Sequence, residues 1–337
     1  MKIAITSDVH LGERRFRRVE NHQNLFQLIN YAVWDEVLDL VRSEKVDMLL
    51  VAGDLFEDHD PEVPALFHAQ LLHQLDVPVH VLGGNHDFGM LAHVQGIHCL
   101  DLLAGGNVHV HHSDFEVLDA GDVNVHFIPY HCMNAVAWNE SRKAMGRRNI
   151  LVAHGYLADA SSDDDPYAAP RDQLAKFELS VLGHVHLPYV NGKKGRVVLT
   201  PGSTMPSPAV FGAGDPSSAA PSMWVYDTDG MNLKRIRLSR APSVISIQSE
   251  SVNEDLARVG DLDLPVPPIC NISYSGGISD VDESVYKKAY ANCLNLSMQT
   301  VEKREVAHNM KVTGFWEHVQ SEKPEWVDCF KQILAGN

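Results

Sequence analysis

Residues 2–12, KIAITSDVHLG, begin as an apolar run and end on Asp8 and His10 just ahead of Gly12. The same pattern returns twice. DMLLVA at 47–52 ends on Gly53-Asp54, and PVHVLG at 78–83 ends on Gly84-Asn85-His86-Asp87. Short apolar runs closed by glycine and polar residues read as buried strands. Between the first two, Leu25, Leu28, Ile29, Ala32, Val33, Val37, Leu40 and Val41 recur at helical spacing, which predicts a helix over residues 24–44. Pro64 to Leu75 reads as a second helix, with Pro64 suited to its first turn. Strand, helix, strand, helix, strand is the α/β signature, and ligands bind beyond the carboxyl ends of such strands.

Farther along, residues 107–112, 115–119, 123–129, 149–153, 178–182, 188–191, 196–200, 222–227 and 232–238 read as short strands, and 135–145 as a helix. The polar stretch 157–173 and the Gly/Pro/Ser/Ala-rich stretch 202–221 are long enough to be functional loops. Past Pro242 the pattern changes. Strands are expected at 244–248 and 269–274, with amphipathic stretches at 281–297 and 324–334. The expected organisation is a body over residues 1–240 and a small α+β module over 243–337.

A chain of 337 residues with 45% hydrophobic and 21% charged side chains is neither a disordered chain, a coiled coil nor a collagen-like fibre. Neither a signal peptide nor a membrane span is expected. Five cysteines without a CxxC pair suggest reduced thiols, hence the cytoplasm, or a host's cytoplasm for a viral source. A net charge of −16 counts against a nucleic-acid binder. The basic residues are clumped, however, and Arg14, Arg15, Arg17 and Arg18 follow the first motif directly. A basic stripe beside a reactive site can hold a phosphate backbone despite an acidic total.

Histidine is the outlier at 19 copies. His109, His111 and His112 alternate within a valine-rich strand and read as ordinary strand residues. Others fall where strands end: Asp8 and His10, Asp54, Asn85 and His86, His154, then His184 and His186. Asp8-x-His10 and His184-x-His186 are i, i+2 pairs that in extended chain point to one side. Carboxylate, imidazole and one amide, without thiolate, suit Mn²⁺, Fe²⁺ or Zn²⁺ more than Ca²⁺. Eight candidates are too many for one ion and suit two, an arrangement fitted to phosphate-ester hydrolysis. Each fragment alone has an ordinary explanation as a turn or a core histidine. Five such turns delivering ligand types to one end of the sheet do not.

These motifs resemble the calcineurin-like metallophosphoesterase superfamily. The resemblance implies a four-layer α/β/β/α sandwich. It implies one metal on Asp8, His10, Asp54 and His186, and another on Asp54, Asn85, His154 and His184, with Asp54 bridging. His86 would not be a ligand; it would contact the phosphate and protonate or stabilise the leaving group.

Within the superfamily, Asp8-Val9-His10-Leu11-Gly12, Gly53-Asp54-Leu55-Phe56 and Thr200-Pro201-Gly202-Ser203 are similar to the Mre11/SbcD nuclease branch. That implies a DNA exonuclease or endonuclease of repair or recombination, with Mn²⁺ first among the metals and Mg²⁺, Fe²⁺ or Zn²⁺ as alternatives. It implies a Rad50/SbcC-type ATPase partner and a homodimer through residues 63–75 and 92–104. The segment 324–334, with Trp326 and Phe330, is a candidate for docking the ATPase. The sequence departs from the branch at Glu57, where a histidine often stands, which leaves open what orients His86. The alternatives are a phosphoesterase for a small molecule or nucleotide and a scaffold with a decayed site; the intact ligand set argues against the scaffold.

Overall fold

A computed structural model of the chain describes residues 1–88, 98–133, 137, 138, 140, 148–158, 167–207 and 219–300. The expected helix over 135–145 and the segment 324–334 lie wholly or largely outside these residues, as does 92–97 of the expected dimer segment.

The apolar runs form strands as their patterning predicts: β1 (Lys2–Thr6), β2 (Met48–Val51), β3 (Val79–Leu82) and β4 (Val108–His111). These four pair in parallel, and β11 (Ser222–Asp227) and β12 (Asn232–Arg237) extend the sheet antiparallel, in the order β12-β11-β1-β2-β3-β4. The second sheet holds β5 (Glu116–Asp119), β6 (Val123–Ile128), β7 (Arg148–His154), β8 (Leu179–Gly183), β9 (Tyr189–Lys193) and β10 (Arg196–Thr200). Its order is β9-β10-β8-β7-β6-β5.

Period-2 alternation assigns the faces. Ile3, Ile5 and Leu50 meet Val125, Phe127, Ile150, Val152 and Val181 between the sheets. Ala4, Leu49, Val51 and Val79 pack outward on Phe26, Trp34 and Val37 of helix α1 (Leu25–Ser43). Asn24 caps α1 by accepting the Gln27 N–H at 3.1 Å. On the far face of the second sheet, Leu151, Ala153 and Leu182 are covered by Trp138, Leu174 and Phe177. This is an α/β sandwich of two mixed sheets with helical cover.

The second helix differs from expectation. Helix α2 (Val63–Gln70) ends early, and residues 71–74 tighten into a 3₁₀ turn that brings Leu72 and Leu75 into the core. The chain beyond residue 243 forms a parallel sheet of β13 (Val244–Ser249), β14 (Ile269–Tyr274) and β15 (Asn295–Thr300). Two helices cover it, α3 (Val252–Gly260) and α4 (Glu283–Asn292). The amphipathic stretch 281–297 is therefore mostly helix: the backbone turns extended at Cys293, and its last residues open the strand, where Leu296 pairs with Cys270 in register. Ile269 and Leu294 join the core beside α1. No described helix is long and apolar enough to cross a membrane.

His109 and His111 lie in β4, as ordinary strand residues, yet His111 also belongs to a buried relay. His80 Nδ1 lies 2.9 Å from His111 Nε2, and His111 Nδ1 lies 2.8 Å from Glu116 Oε2, with both rings stacked on Phe127. Burial, then His111 and His109, hold the His80 imidazole down to about 3. A histidine kept neutral in the fold contributes stability that is intact above pH 6.5 and lost as pH falls below it. Relative to His80→Leu, the wild type is expected to lose roughly 1 kcal/mol per pH unit between 6.5 and 5. Urea melts of both proteins at several pH values measure this; a gap that does not move with pH contradicts it.

Candidate active site

Loops leaving the carboxyl ends of β1 and β2 are tied to one another through the backbone, and the loop after β3 joins them through side chains. Asp8 N–H donates to Gly53 O (3.1 Å), Val9 N–H to Asp54 O (2.9 Å) and Leu11 N–H to Leu55 O (2.8 Å). Asp87 braces the third loop, accepting the Phe56 N–H on Oδ1 (3.0 Å) and the Gly84 N–H on Oδ2 (2.9 Å). The Pro-Gly-Ser turn closes the far side: Ser203 donates its hydroxyl to Asp8 O (2.9 Å) and its N–H to His186 O (3.0 Å).

The backbone is strained where the polar residues sit. Asp8, His10, Asp54 and His184 have φ of 51°, 51°, 50° and 90°. Each such residue costs of order 1–3 kcal/mol, and strain of this kind gathers at functional sites. Two glycines are needed for space: a Cβ on Gly53 would overlap the His154 ring, and one on Gly84 would overlap the Asp54 carboxylate.

The side chains converge as two groups on either side of Asp54, with His86 close enough to His10 and Asp54 to form a third, overlapping one. Asp8, His10 and His186 form one, with His10 Nε2 3.0 Å from His186 Nε2 and His186 Nε2 3.6 Å from Asp8 Oδ1. Asp54, His154 and His184 form the other. Asn85 Oδ1 joins it, 3.0 Å from His154 Nε2 and 2.9 Å from His184 Nδ1. Asp54 Oδ2 stands between the groups, 3.3 Å from His154 Nε2 and 3.9 Å from His10 Nε2. The two members of His184-x-His186 thus serve different groups rather than one; they lie beyond the end of β8, and His184 leaves extended geometry.

Two buried carboxylates gather positive charge around them. Burial alone would depress the imidazoles of His10 and His154. Glu57, Asp54 and Asp8 override it at His10, and Asp54 and Asp8 at His154, lifting both to about 9. Burial pushes the Asp8 carboxyl up. It acts the same way on Asp54, but His154, and after it His10 and His86, hold that carboxyl well below the ordinary range. His10 Nε2 facing His186 Nε2 also requires a proton or a cation between them. His154 donates Nδ1–H to Ala52 O at 2.9 Å, so Nε2, which faces the oxygens of Asp54 and Asn85, is the atom that would exchange its proton for a metal ion. This donor set fits divalent cations.

The profile of the calcineurin-like phosphoesterases matches residues 1–188. The chain belongs to this family. The family is one of hydrolases that use a divalent metal pair.

Among curated proteins, this phosphoesterase is 26% identical over 215 residues to the DNA double-strand break repair protein Mre11 of Aeropyrum pernix, covering 56% of this chain and 50% of that one. It is 23% identical over 292 residues to the protein of that name from Methanopyrus kandleri, covering 77% and 62%. It is 30% identical over 135 residues to the SbcD component of the SbcCD nuclease of Bacillus subtilis, covering 36% and 32%. The chain therefore spans between half and 62% of the length of the first two relatives.

His86 lies at the rim of the phosphoesterase site. Its N–H donates to Asp54 Oδ1 (2.9 Å), its Nδ1 lies 2.7 Å from Glu57 O, and its ring meets that of His10 edge to face at 4.7 Å. The arginine run is largely engaged inside the protein. Arg14 pairs with Glu62; Arg15 pairs with Glu13 and donates to Pro206 O; Arg18 donates to Ala291 O and Cys293 O at the end of α4. Arg17 is exposed and, among the described residues, makes no recorded ion pair. Sequence reasoning missed the bracing roles of Asp87 and Ser203, although Asp87 and the Thr-Pro-Gly-Ser turn were its signals.

Proposed function

We propose that this phosphoesterase is a two-metal phosphodiesterase that cleaves DNA. The observation that carries the reading is Asp54, standing between two ligand groups with His86 beside it. Asp8, His10, Asp54 and His186 would hold one ion, and Asp54, Asn85, His154 and His184 the other. Divalent cations there, Mn²⁺ first, would supply Lewis-acid charge to the phosphoryl oxygens and activate the attacking water. His86 keeps its Nδ1 proton on Glu57 O, so it would act as the imidazolium, giving its second proton, on Nε2, to the departing oxygen and relaxing to the neutral Nδ1–H ring. Arg17 is the member of the basic run best placed to reach a phosphate backbone.

DNA as substrate is supported by the likeness to Mre11 and to the SbcD component of SbcCD. A homodimer is supported by the exposed Val63 and Phe67 on α2 and the exposed Leu102 in the other expected dimer segment. The full assembly would include a Rad50/SbcC-type ATPase and act in the cytoplasm in repair or recombination.

The test is a Mn²⁺-dependent assay on labelled double- and single-stranded DNA, with bis-p-nitrophenyl phosphate alongside. Metal-dependent scission of DNA is expected. Hydrolysis of the small ester with DNA untouched, even with an ATPase partner added, would replace this reading with that of a small-substrate phosphoesterase.

A further inference from the structure

We infer that Glu57 is a positioning residue that orients two histidines of the site at once, its carboxylate setting the His10 ring and its main-chain carbonyl setting His86. This deepens the two-metal reading and rests on it.

Glu57 is fixed at three points. Its N–H donates to Leu11 O at 3.1 Å, which anchors it to the first ligand loop. Its carbonyl lies 2.7 Å from His86 Nδ1. Its Oε2 lies 2.8 Å from His10 Nδ1, a charge contact bent from ideal hydrogen-bond geometry, and 3.8 Å from His86 Nδ1. No other described carboxylate pairs with His10 Nδ1, and the nearby Glu13 is engaged by Arg15.

A carboxylate on Nδ1 keeps a proton there, makes Nε2, the atom turned toward Asp54 and His186, the one available to a metal ion, and raises the basicity of the ring as a metal ligand. The two tasks fall on different atoms of Glu57. Shortening the side chain removes the partner of His10 but leaves the carbonyl that holds His86. The residue that departs from the nuclease-branch pattern is thus the one that links the first ligand loop to the proton donor, and its loss should separate metal affinity from turnover.

The experiment titrates the metal-stripped protein with Mn²⁺, reading free Mn²⁺ by electron paramagnetic resonance, for wild type, Glu57→Ala and Glu57→Gln. Thermal melts by circular dichroism check folding. In Glu57→Ala one of the two ions is expected to bind roughly 10–100-fold more weakly while the other keeps its affinity. The Mn²⁺ concentration for half-maximal hydrolysis should rise by the same factor, with a far smaller fall in kcat. Glu57→Gln, nearly the same shape and still offering an oxygen to Nδ1–H, should recover part of the affinity, and it carries the test if Glu57→Ala does not fold.

Wild-type affinity for both ions in both variants overturns the inference and leaves the two-metal reading standing. Loss of both ions with collapse of kcat also overturns it, because Glu57 would then only hold the loop together. Failure of the wild type to bind Mn²⁺ overturns both readings.

Discussion

Asp54→Asn is expected to abolish hydrolysis, with a fall in kcat of at least about a thousandfold, or roughly 4 kcal/mol of barrier. Asparagine keeps the shape of the side chain and can still accept the His86 N–H on one oxygen. It loses the charge that His154 and His10 surround, and its amide group would face imidazole nitrogens 3.3 and 3.9 Å away. Because Asp54 stands between both ligand groups, the variant should bind neither ion of a pair tightly. Isothermal titration with Mn²⁺ and a DNA cleavage assay check this together, with a melting curve to show that the fold persists. A variant that retains two tight Mn²⁺ ions, or cleaves DNA at near wild-type rate, contradicts the bridging role.

His86→Gln is expected to act at a different step. It is not one of the residues proposed to hold either ion, although its ring lies within reach of His10 and Asp54, so Mn²⁺ binding should be largely unchanged. DNA cleavage should fall by about 10²–10⁴, the range typical of a placed acid or base. The loss should depend on the leaving group. A nitrophenolate departs as a stable anion and needs little help from a proton, whereas a deoxyribose alkoxide needs it. Hydrolysis of bis-p-nitrophenyl phosphate should therefore fall much less than hydrolysis of DNA. Equal losses on both substrates would show that His86 binds phosphate rather than moving a proton.

The body of the fold was readable because three strands close on Gly-Asp, Gly-Asn-His-Asp or Asp-x-His, and because α1 carries a full helical stripe ending at Val41. The site was readable for the same reason: parallel strands deliver whatever follows their last residue to one edge. Backbone conformation was not readable. Nothing in the types Asp8, His10, Asp54 and His184 announces a positive φ, and it is tertiary contact, such as Asp8 N–H to Gly53 O, that over-determines it. Long-range polar contacts were equally hidden. Arg18 reads as part of a basic run, but its guanidinium reaches Ala291 O, 273 residues away, and ties the metal-side segment to the end of helix α4. Helix α3 was missed because its buried apolar residues are only Leu256 and Val259, too sparse for a periodic signal. The amphipathic pattern over 281–297 gives no sign that its last residues leave the helix and that Leu296 pairs with Cys270 in the C-terminal sheet. Glu57 looked like a mismatch to a familiar pattern; its use of a side-chain oxygen for one histidine and a main-chain oxygen for another is visible only once three loops are brought together.

The central claim is that the strand ends hold a pair of cations about Asp54. Anomalous diffraction from crystals soaked in Mn²⁺ tests it most directly. Two peaks ~3.5–4 Å apart are predicted, one among Asp8, His10 and His186 and one among Asn85, His154 and His184, with Asp54 touching both. A single peak away from Asp54, or none at a Mn²⁺ concentration that supports hydrolysis, would contradict it.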